Sequence, residues 1–408
     1  MRPDSLRELA IIIGLTFAAQ VLLVWVLIAV RKLRGEIALR APYPRIELPE
    51  LFEERHALKL YMAGEELFPA MLEAIDGARH TIMLETFIWK GDELGQAFRQ
   101  ALERKAADGV AVYAIFDGFA NLVVPRAFKR FPPAINLLTY PAFPWPSQLI
   151  DFSAYARDHR KLLIVDHETA FIGGYNIGEL YRTDWRDTHL RIVGPVSRNL
   201  AEMFASFWNR HRRRLPRLEI DLDLEWQSTI RVQRNDASRL VFPIRSMYLD
   251  AIERSERYVY ITNAYFIPDR AILEALVHAA RRGVDVRVLV PFESNHVLAD
   301  WLMRHYVEFC LRNGIRMFTY RAAMIHAKTA TIDGIWSTVG TANLDRLSLA
   351  GNHEINLELY NAALAREMER IFVCDLESAT EIELEAWLER PWYAKAAELV
   401  LSPLWPLL

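Results

Sequence analysis

HRKLLIVDHETAFIGGYN, residues 159 to 176, and HAKTATIDGIWSTVGTAN, residues 326 to 343, decide how this 408-residue chain is read. Both carry a histidine, a lysine two positions later, an aspartate five after that, then six residues, a glycine, two residues and an asparagine. His159, Lys161, Asp166, Gly173 and Asn176 thereby match His326, Lys328, Asp333, Gly340 and Asn343. Each segment reads as two strands joined by a tight turn, for which Asp333-Gly334 is a favourable dipeptide and Asp166-His167 a weaker one. Side chains alternate faces along a strand, so each histidine projects with the lysine two residues on. The aspartates fall on the opposite phase at the strand end, where a carboxylate fixes the turn.

Upstream of each segment the chain repeats itself. AIDGARHTIMLETFIW from Ala74, an amphipathic helix through GQAFRQALERKAADGV and the strand AVYAIFDG ending at Gly118 have counterparts. These are AIERSERYVYITNAYF from Ala251, ILEALVHAARRGV and DVRVLVPF ending at Phe292. The offset between copies is 177 at the start, 174 at Gly109 and Gly283, and 167 at the histidines, as loop insertions in a duplicated unit would leave it. Strands separated by helices predict an α/β fold of two duplicated halves, with mixed, largely parallel sheets flanked by helices, related by a pseudo-twofold axis. The expected divisions are an anchor with its basic flank at 1–35, a linker at 36–56, a first half at 57–217 and a second at 218–408.

A lone histidine in an apolar strand usually just satisfies hydrogen bonds, but two, each with an in-phase lysine, point to shared chemistry. Paired histidines and carboxylates also suit a metal. A lysine on the same face as each would repel a divalent cation, whereas two lysines converging with two histidines suit the negative charge of a phosphate. Neither half alone holds a nucleophile, an acid and enough cations for phosphoryl chemistry, so one site per chain, without metal or cofactor, is expected. Gly173, Gly174 and Gly340 would let backbone approach the phosphate or would simply end the hairpins; Asn176 and Asn343 would donate to its oxygens.

Composition agrees with a large folded body: 52% of residues are hydrophobic and 25% charged, and the formal net charge of -3 gives no basic footprint for nucleic acid. Cys310 and Cys374 stand far apart, outside any CxxC spacing, and read as buried thiols. Leu9 to Val30 is an uncharged run of 22 residues, long enough to cross a bilayer core of about 30 Å. No small-residue cleavage site precedes the Arg31-Lys32-Leu33-Arg34 cluster, so an uncleaved single-pass anchor in the cell membrane is expected and not a signal peptide. Arg31, Lys32 and Arg34, set against Arg2, Arg7 and the amino terminus, tip the orientation toward a cytoplasmic body.

The doubled segments resemble the HxKxxxxD signature of the phospholipase D superfamily. ETFIW at Glu85, GGYNIGELY at Gly173, WRDTHLRIVGP at Trp185 and GTANLDRLSLAGNHEINLEL at Gly340 are similar to bacterial cardiolipin synthases, over roughly residues 57 to 408. That family commonly has two membrane spans before the catalytic body, where this chain has one apolar run. The resemblance implies phosphatidyl transfer through a phosphohistidine, with His159 as nucleophile, His326 as acid and base, and Lys161, Asp166, Lys328 and Asp333 completing the motifs. It further implies an acidic residue orienting each histidine from the opposite half: Glu354 for His159 and Asp187 for His326. Each acid lies 28 residues after the histidine of its own half. Phosphatidylglycerol is the implied donor and acceptor, with phosphatidylethanolamine as a further candidate. Hydrolysis of phospholipid by the same fold is the alternative, a nuclease a weaker one, and a catalytically dead membrane scaffold is opposed by the intact motif residues.

Three flanking features suit a lipid interface. They are PAFPWP at 141–146, the arginines at 210, 212, 213, 214 and 217, and the tail PWYAKAAELVLSPLWPLL from Pro391. For the arginines a solvated helix face is an equal reading, and for the tail so is packing onto the body.

Overall fold

The computed structural model describes residues 3–34, 43–144, 146–148, 150–220 and 229–407. The first half contributes strands β1 (Glu50–Glu53), β2 (His56–Ala63), β3 (Thr81–Thr86), β4 (Ala111–Asp117), β5 (Ile135–Tyr140), β6 (Leu162–Val165), β7 (Thr169–Gly173) and β8 (Trp185–Val193). The second contributes β9 (Ile230–Asn235), β10 (Tyr258–Asn263), β11 (Asp285–Pro291), β12 (Arg316–Tyr320), β13 (Met324–Ile325), β14 (Lys328–Ile332), β15 (Trp336–Gly340), β16 (Glu354–Tyr360) and β17 (Ala379–Glu381). One sheet runs β1-β2-β8-β7-β6-β3-β4-β5, with β13 beside β8, and the other β17-β12-β11-β10-β14-β15-β16-β9. The path β2-β8-β7-β6-β3-β4-β5 is therefore laid down twice, the second time as β9-β16-β15-β14-β10-β11-β12.

Strands β3, β4 and β5, like β10, β11 and β12, pair parallel, but the motif hairpins enter each sheet antiparallel. The sheets are mixed as expected, yet they are not largely parallel, because each hairpin and the strand after it add antiparallel ladders. Helices between β3 and β4 (Glu93–Ala107) and between β10 and β11 (Arg270–Arg281) begin alike. Asp92 accepts from the Gly95 amide at 3.0 Å, and Asp269 from those of Ala271 and Ile272 at 2.9 and 3.0 Å. They also end alike, at Gly109 and Gly283, whose φ values of 90° and 91° are strained for any side chain with a Cβ.

Each sheet is covered outside by its own helices. Phe68, Phe98, Ile82 and Val112 share one core in the first half, and Ile252, Leu276, Val286 and Leu302 another in the second. A third core joins Leu162, Ile164 and Ile172 to Val339, Ile355 and Leu357, together with helices Val196–His211 and Ala362–Leu376. The two halves are therefore one body around a shared interior.

Some details depart from the sequence reading and others agree with it. The stretch read as a linker is incorporated from Tyr43 on: Tyr43 and Leu48 are buried, and β1 pairs with β2. Cys310 and Cys374 are buried and unpaired. Helix Pro3–Arg34 contains the apolar run, of which Ile11–Leu33 is long and apolar enough to cross a membrane. Its second part also packs on the body, with Leu23, Val24 and Leu27 against the core of the second half. Arg210 pairs with Asp236 at 2.8 Å and Arg212 caps the Leu215 carbonyl at 2.5 Å, so part of the arginine cluster holds the fold. Trp145 of PAFPWP lies outside the described residues.

Candidate active site

The chain crosses between halves just before each motif. β13 runs parallel to the start of β8, with Met324 opposite Trp185 and Ile325 opposite Arg186, and Asp158 forms the equivalent bridge with His353. The His326 amide donates to the Arg186 carbonyl at 2.7 Å, and the His159 amide to the His353 carbonyl at 3.0 Å. Each histidine is thus fixed one residue away from the acid of the other half.

The side chains complete that crossing. His159 Nδ1 lies 2.9 and 3.0 Å from the Glu354 oxygens, and His326 Nδ1 lies 2.7 Å from Asp187 Oδ2. An ionised carboxylate only accepts, so it places a proton on Nδ1 and leaves the Nε2 lone pair free. Both acids are fully buried. Burial, then the positive charges of Lys161 and Lys328, hold His159 well below its ordinary pKa, and burial followed by Lys328 takes His326 down to about 3. The substrate-free imidazoles are therefore neutral. Burial raises the Asp187 carboxyl, but the charge and hydrogen bond of His326 outweigh it and hold the group low. At Glu354 burial prevails over Lys161 and pushes the group up to about 8.

Lys161 and Lys328 fold back so that each ammonium donates to the carbonyl of its own motif histidine, at 2.5 Å for Lys161. Neither has an ion-pair partner among the described residues. Burial lowers them to about 7 and about 8. The charges of Glu354 and Asp187 act on both lysines from a distance, but neither carboxylate is bonded to them, and two buried ammoniums side by side suit an anionic group. Among the described residues no group of three or more His, Cys, Asp or Glu is placed to hold a metal ion.

Other sequence candidates stand elsewhere. Asp166 accepts from the amides of Arg79, His80 and Thr81 at 2.7 to 2.8 Å, and Asp333 from those of Glu256, Arg257 and Tyr258 at 2.8 to 2.9 Å. Both aspartates tie the hairpin turn to the start of the neighbouring strand, at the end of the hairpin away from the histidine, and so do not join the reacting groups. The turns have both central residues at positive φ, Asp166 and His167 in one, Asp333 and Gly334 in the other. Asn176 accepts from the Ile88 amide at 3.1 Å, while Asn343 Oδ1 is buried without a partner among the described residues. The glycines are packed against neighbouring strands. A Cβ on Gly174 would come 2.1 Å from Asp187 Oδ1, and one on Gly340 2.3 Å from Asn356. At the position matching Gly174 stands Thr341, whose hydroxyl donates to Glu354 at 2.5 Å.

Sequence reasoning missed the buried charges behind the histidines. Arg186 grips Asp375 at 2.7 and 3.0 Å and donates to the Asp187 carbonyl at 2.5 Å; Arg160 pairs with Glu85 and, at 3.2 Å, with Asp158. Asp375 did leave a signal, a carboxylate in the apolar stripe Leu364, Met368, Ile371, Phe372 of its helix.

The family model described as "Cardiolipin synthase, PLD-like domain" matches residues 71–208 and 248–376, one match on each half. The cardiolipin synthase of Listeria monocytogenes serotype 4a (strain HCC23) is 32% identical over 372 residues, covering 88% of this chain and 77% of that one. The chain belongs to the cardiolipin synthase family. A second member, from Clostridium perfringens (strain SM101 / Type A), is 31% identical over 380 residues, covering 88% of this chain and 78% of its own. Family membership makes the protein a phosphatidyltransferase of the phospholipase D superfamily. The fold recurs in phosphatidylserine synthase from Haemophilus influenzae Rd KW20, with a TM-score of 0.65, 14% identity and coverage of 88% of this chain and 95% of that one. It recurs also in polyphosphate kinase from Porphyromonas gingivalis, with a TM-score of 0.56, 15% identity and coverage of 90% and 57%.

In this cardiolipin synthase family site Gly174 has a checkable part. Gly174→Ala should displace the Asp187 carboxylate and lower kcat at least tenfold, whereas Gly77→Ala, with no atom within 4 Å of the new Cβ, should leave kcat unchanged. Equal activity of the two variants would show that the Asp187 position is not critical.

Proposed function

We propose that the protein joins two phosphatidylglycerol molecules into cardiolipin and releases glycerol, on the cytoplasmic face of the cell membrane, with helix Pro3–Arg34 as a single-pass anchor. The observation that carries this reading is the crossed pair of carboxylate-held imidazoles beside two unpaired buried ammoniums. His159 Nε2 attacks phosphorus; the bond to the departing glycerol oxygen breaks, and that oxygen takes a proton from His326. The incoming phosphodiester offsets the lysines' charge and thereby raises the proton affinity of His326. In the second step the acceptor hydroxyl gives its proton to His326, its oxygen attacks phosphorus, and the bond to His159 breaks. The low Asp187 carboxyl favours an imidazolium on His326, while Glu354, pushed up by burial, favours one less on His159. That contrast supports His326 as acid and base and His159 as nucleophile. Exposed Phe119 and Phe143, whose rings lie 6.0 Å apart, suit a lipid: Arg157, two residues before His159, stacks on Phe119 and holds the Pro141 and Ala142 carbonyls at 3.0 Å.

Incubating the purified protein with phosphatidylglycerol, with and without phosphatidylethanolamine, and weighing the lipid products by mass spectrometry tests the proposal. Cardiolipin and glycerol are the expected products, formed equally with EDTA present. Phosphatidic acid alone would assign hydrolysis instead, and complete loss in EDTA restored by a divalent ion would overturn the charge-neutralising role given to the lysines.

A pH profile follows from the buried groups. Glu354 must be ionised to keep the proton on His159 Nδ1, so kcat/KM should rise as pH climbs toward about 8. The lysines, lowered to about 7 and about 8, lose charge over the same range, and affinity for an anion should fall as pH rises further. A narrow bell between pH 7 and 8 is expected, and Lys161→Arg, whose cation keeps its proton where the lower of the two lysines loses its own, should move the alkaline limb upward. A flat profile from pH 6 to 9 would contradict this account.

A further inference from the structure

The carboxyl-terminal helix Trp392–Leu401 has two faces. Ala394, Ala397 and Leu401 are buried against the second half, while Trp392, Tyr393, Leu399 and Val400 are exposed, Trp392 by 80% and Leu399 by 75%. These four recur at helical spacing and form one apolar stripe. Glu398 fastens the helix to the body through Arg304 at 3.1 Å and Arg390 at 2.9 Å, so the exposed stripe is held and not trailing. Lys395, on the same helix, turns back to the Leu388 carbonyl at 2.6 Å.

A second observation says what covers the stripe. Gln20 is the amide in the middle of the uncharged run and is 3% exposed; its Nε2 donates to the Val400 carbonyl at 2.9 Å. A polar side chain inside a membrane-spanning run needs a partner that lipid cannot supply. Here the tail helix supplies it, and so sits alongside the middle of the apolar run. The same anchor ends at Arg31, bound to the Ser294 carbonyl at 2.8 Å and to Asp300 at 2.5 Å. Beside that contact Asn295 accepts from Tyr265, whose ring lies 6.4 Å from that of His326.

We infer that Trp392–Leu401 is a second membrane element, lying in the bilayer interface against the anchor with Trp392, Tyr393, Leu399 and Val400 turned into lipid. Tryptophan and tyrosine beside a lysine is the chemistry of that boundary. Anchor and tail together hold the side of the site formed by Ser294, Asn295 and Tyr265 at the membrane surface. The inference requires only that helix Pro3–Arg34 enters a bilayer and is independent of which phospholipid is the substrate.

The native cysteines are buried, so a single exposed cysteine can be labelled in the full chain. Leu399→Cys, Trp392→Cys and, as a control on a water-facing helix end, Glu253→Cys would each carry an environment-sensitive dye in vesicles of phosphatidylglycerol and phosphatidylcholine. Quenchers fixed to acyl chains should dim the dyes at 399 and 392 severalfold more than the dye at 253, and aqueous iodide should do the reverse. Iodide access at 399 and 392 equal to that at 253 would overturn the inference. So would protection from both quenchers with 399-to-399 crosslinking between chains, which would give the stripe to a second copy of the protein.

Discussion

Turnover is expected to fall by on the order of 10⁴-fold or more in both His159→Ala and His326→Ala, but for different reasons that a trapped intermediate separates. His159→Ala removes the proposed nucleophile, so no covalent phosphatidyl-enzyme forms. His326→Ala removes the proposed proton donor and acceptor, a contribution of about 10²- to 10⁴-fold in each step. A substrate whose leaving group needs no proton escapes the first of these losses, so it should still phosphorylate His159 and then stall. Intact mass after acid quenching should show an adduct on His326→Ala and none on His159→Ala. The reverse pattern would exchange the roles, and an adduct on neither would leave the covalent step without support. Both side chains sit at a buried contact between halves, so thermal melting should accompany the assay to show that each variant is folded.

Much of this site is legible in the sequence because a strand has period two. His159 with Lys161 and His326 with Lys328 share a face on that ground alone, and the doubled spacing brings the two sets into one chain. Pairing of Glu354 with His159 and Asp187 with His326 follows from the resemblance and the common offset, and the distances of 2.9 and 2.7 Å agree with it. What the sequence hides is contact between residues far apart in the chain. Arg186 meets Asp375 only once the two halves are assembled, Arg160 meets Glu85 only once β6 is paired with β3, and no local period announces either pair. Asp166 and Asp333 show the opposite failure. They stand in the motif at constant spacing, yet what that spacing preserves is a turn tied to three backbone amides. Gly174 likewise reads as a ligand-approach glycine until the Asp187 carboxylate is found where its Cβ would be. The segment from Tyr43 to Arg55, polar and short of periodicity, gives no sign of its edge strand, because β1 is held by pairing to β2 and not by its own propensity.

The crossing of the halves makes the two carboxylates the sharpest remaining test. Asp187→Asn and Glu354→Gln remove charge with little change of volume, and an amide can present its NH₂ to Nδ1, which moves the imidazole proton to Nε2 and blocks the lone pair that must react. Each should lower kcat by about 10²- to 10⁴-fold while KM changes little, since Lys161 and Lys328, the residues proposed to hold the phosphate, are untouched. The trapped-intermediate assay then asks which histidine each acid serves. Asp187 lies in the half that carries His159 but bonds to His326 at 2.7 Å, so Asp187→Asn should behave as His326→Ala does and accumulate the adduct. Glu354 lies in the half that carries His326 but bonds to His159 at 2.9 Å, so Glu354→Gln should behave as His159→Ala does and form almost none. If each acid instead copied the histidine of its own half, the crossed hydrogen bonds would not be those of the working enzyme. Should both variants keep wild-type kcat, orientation through Nδ1 would contribute nothing, and the Nε2 nucleophile would have to be prepared by the lysines alone.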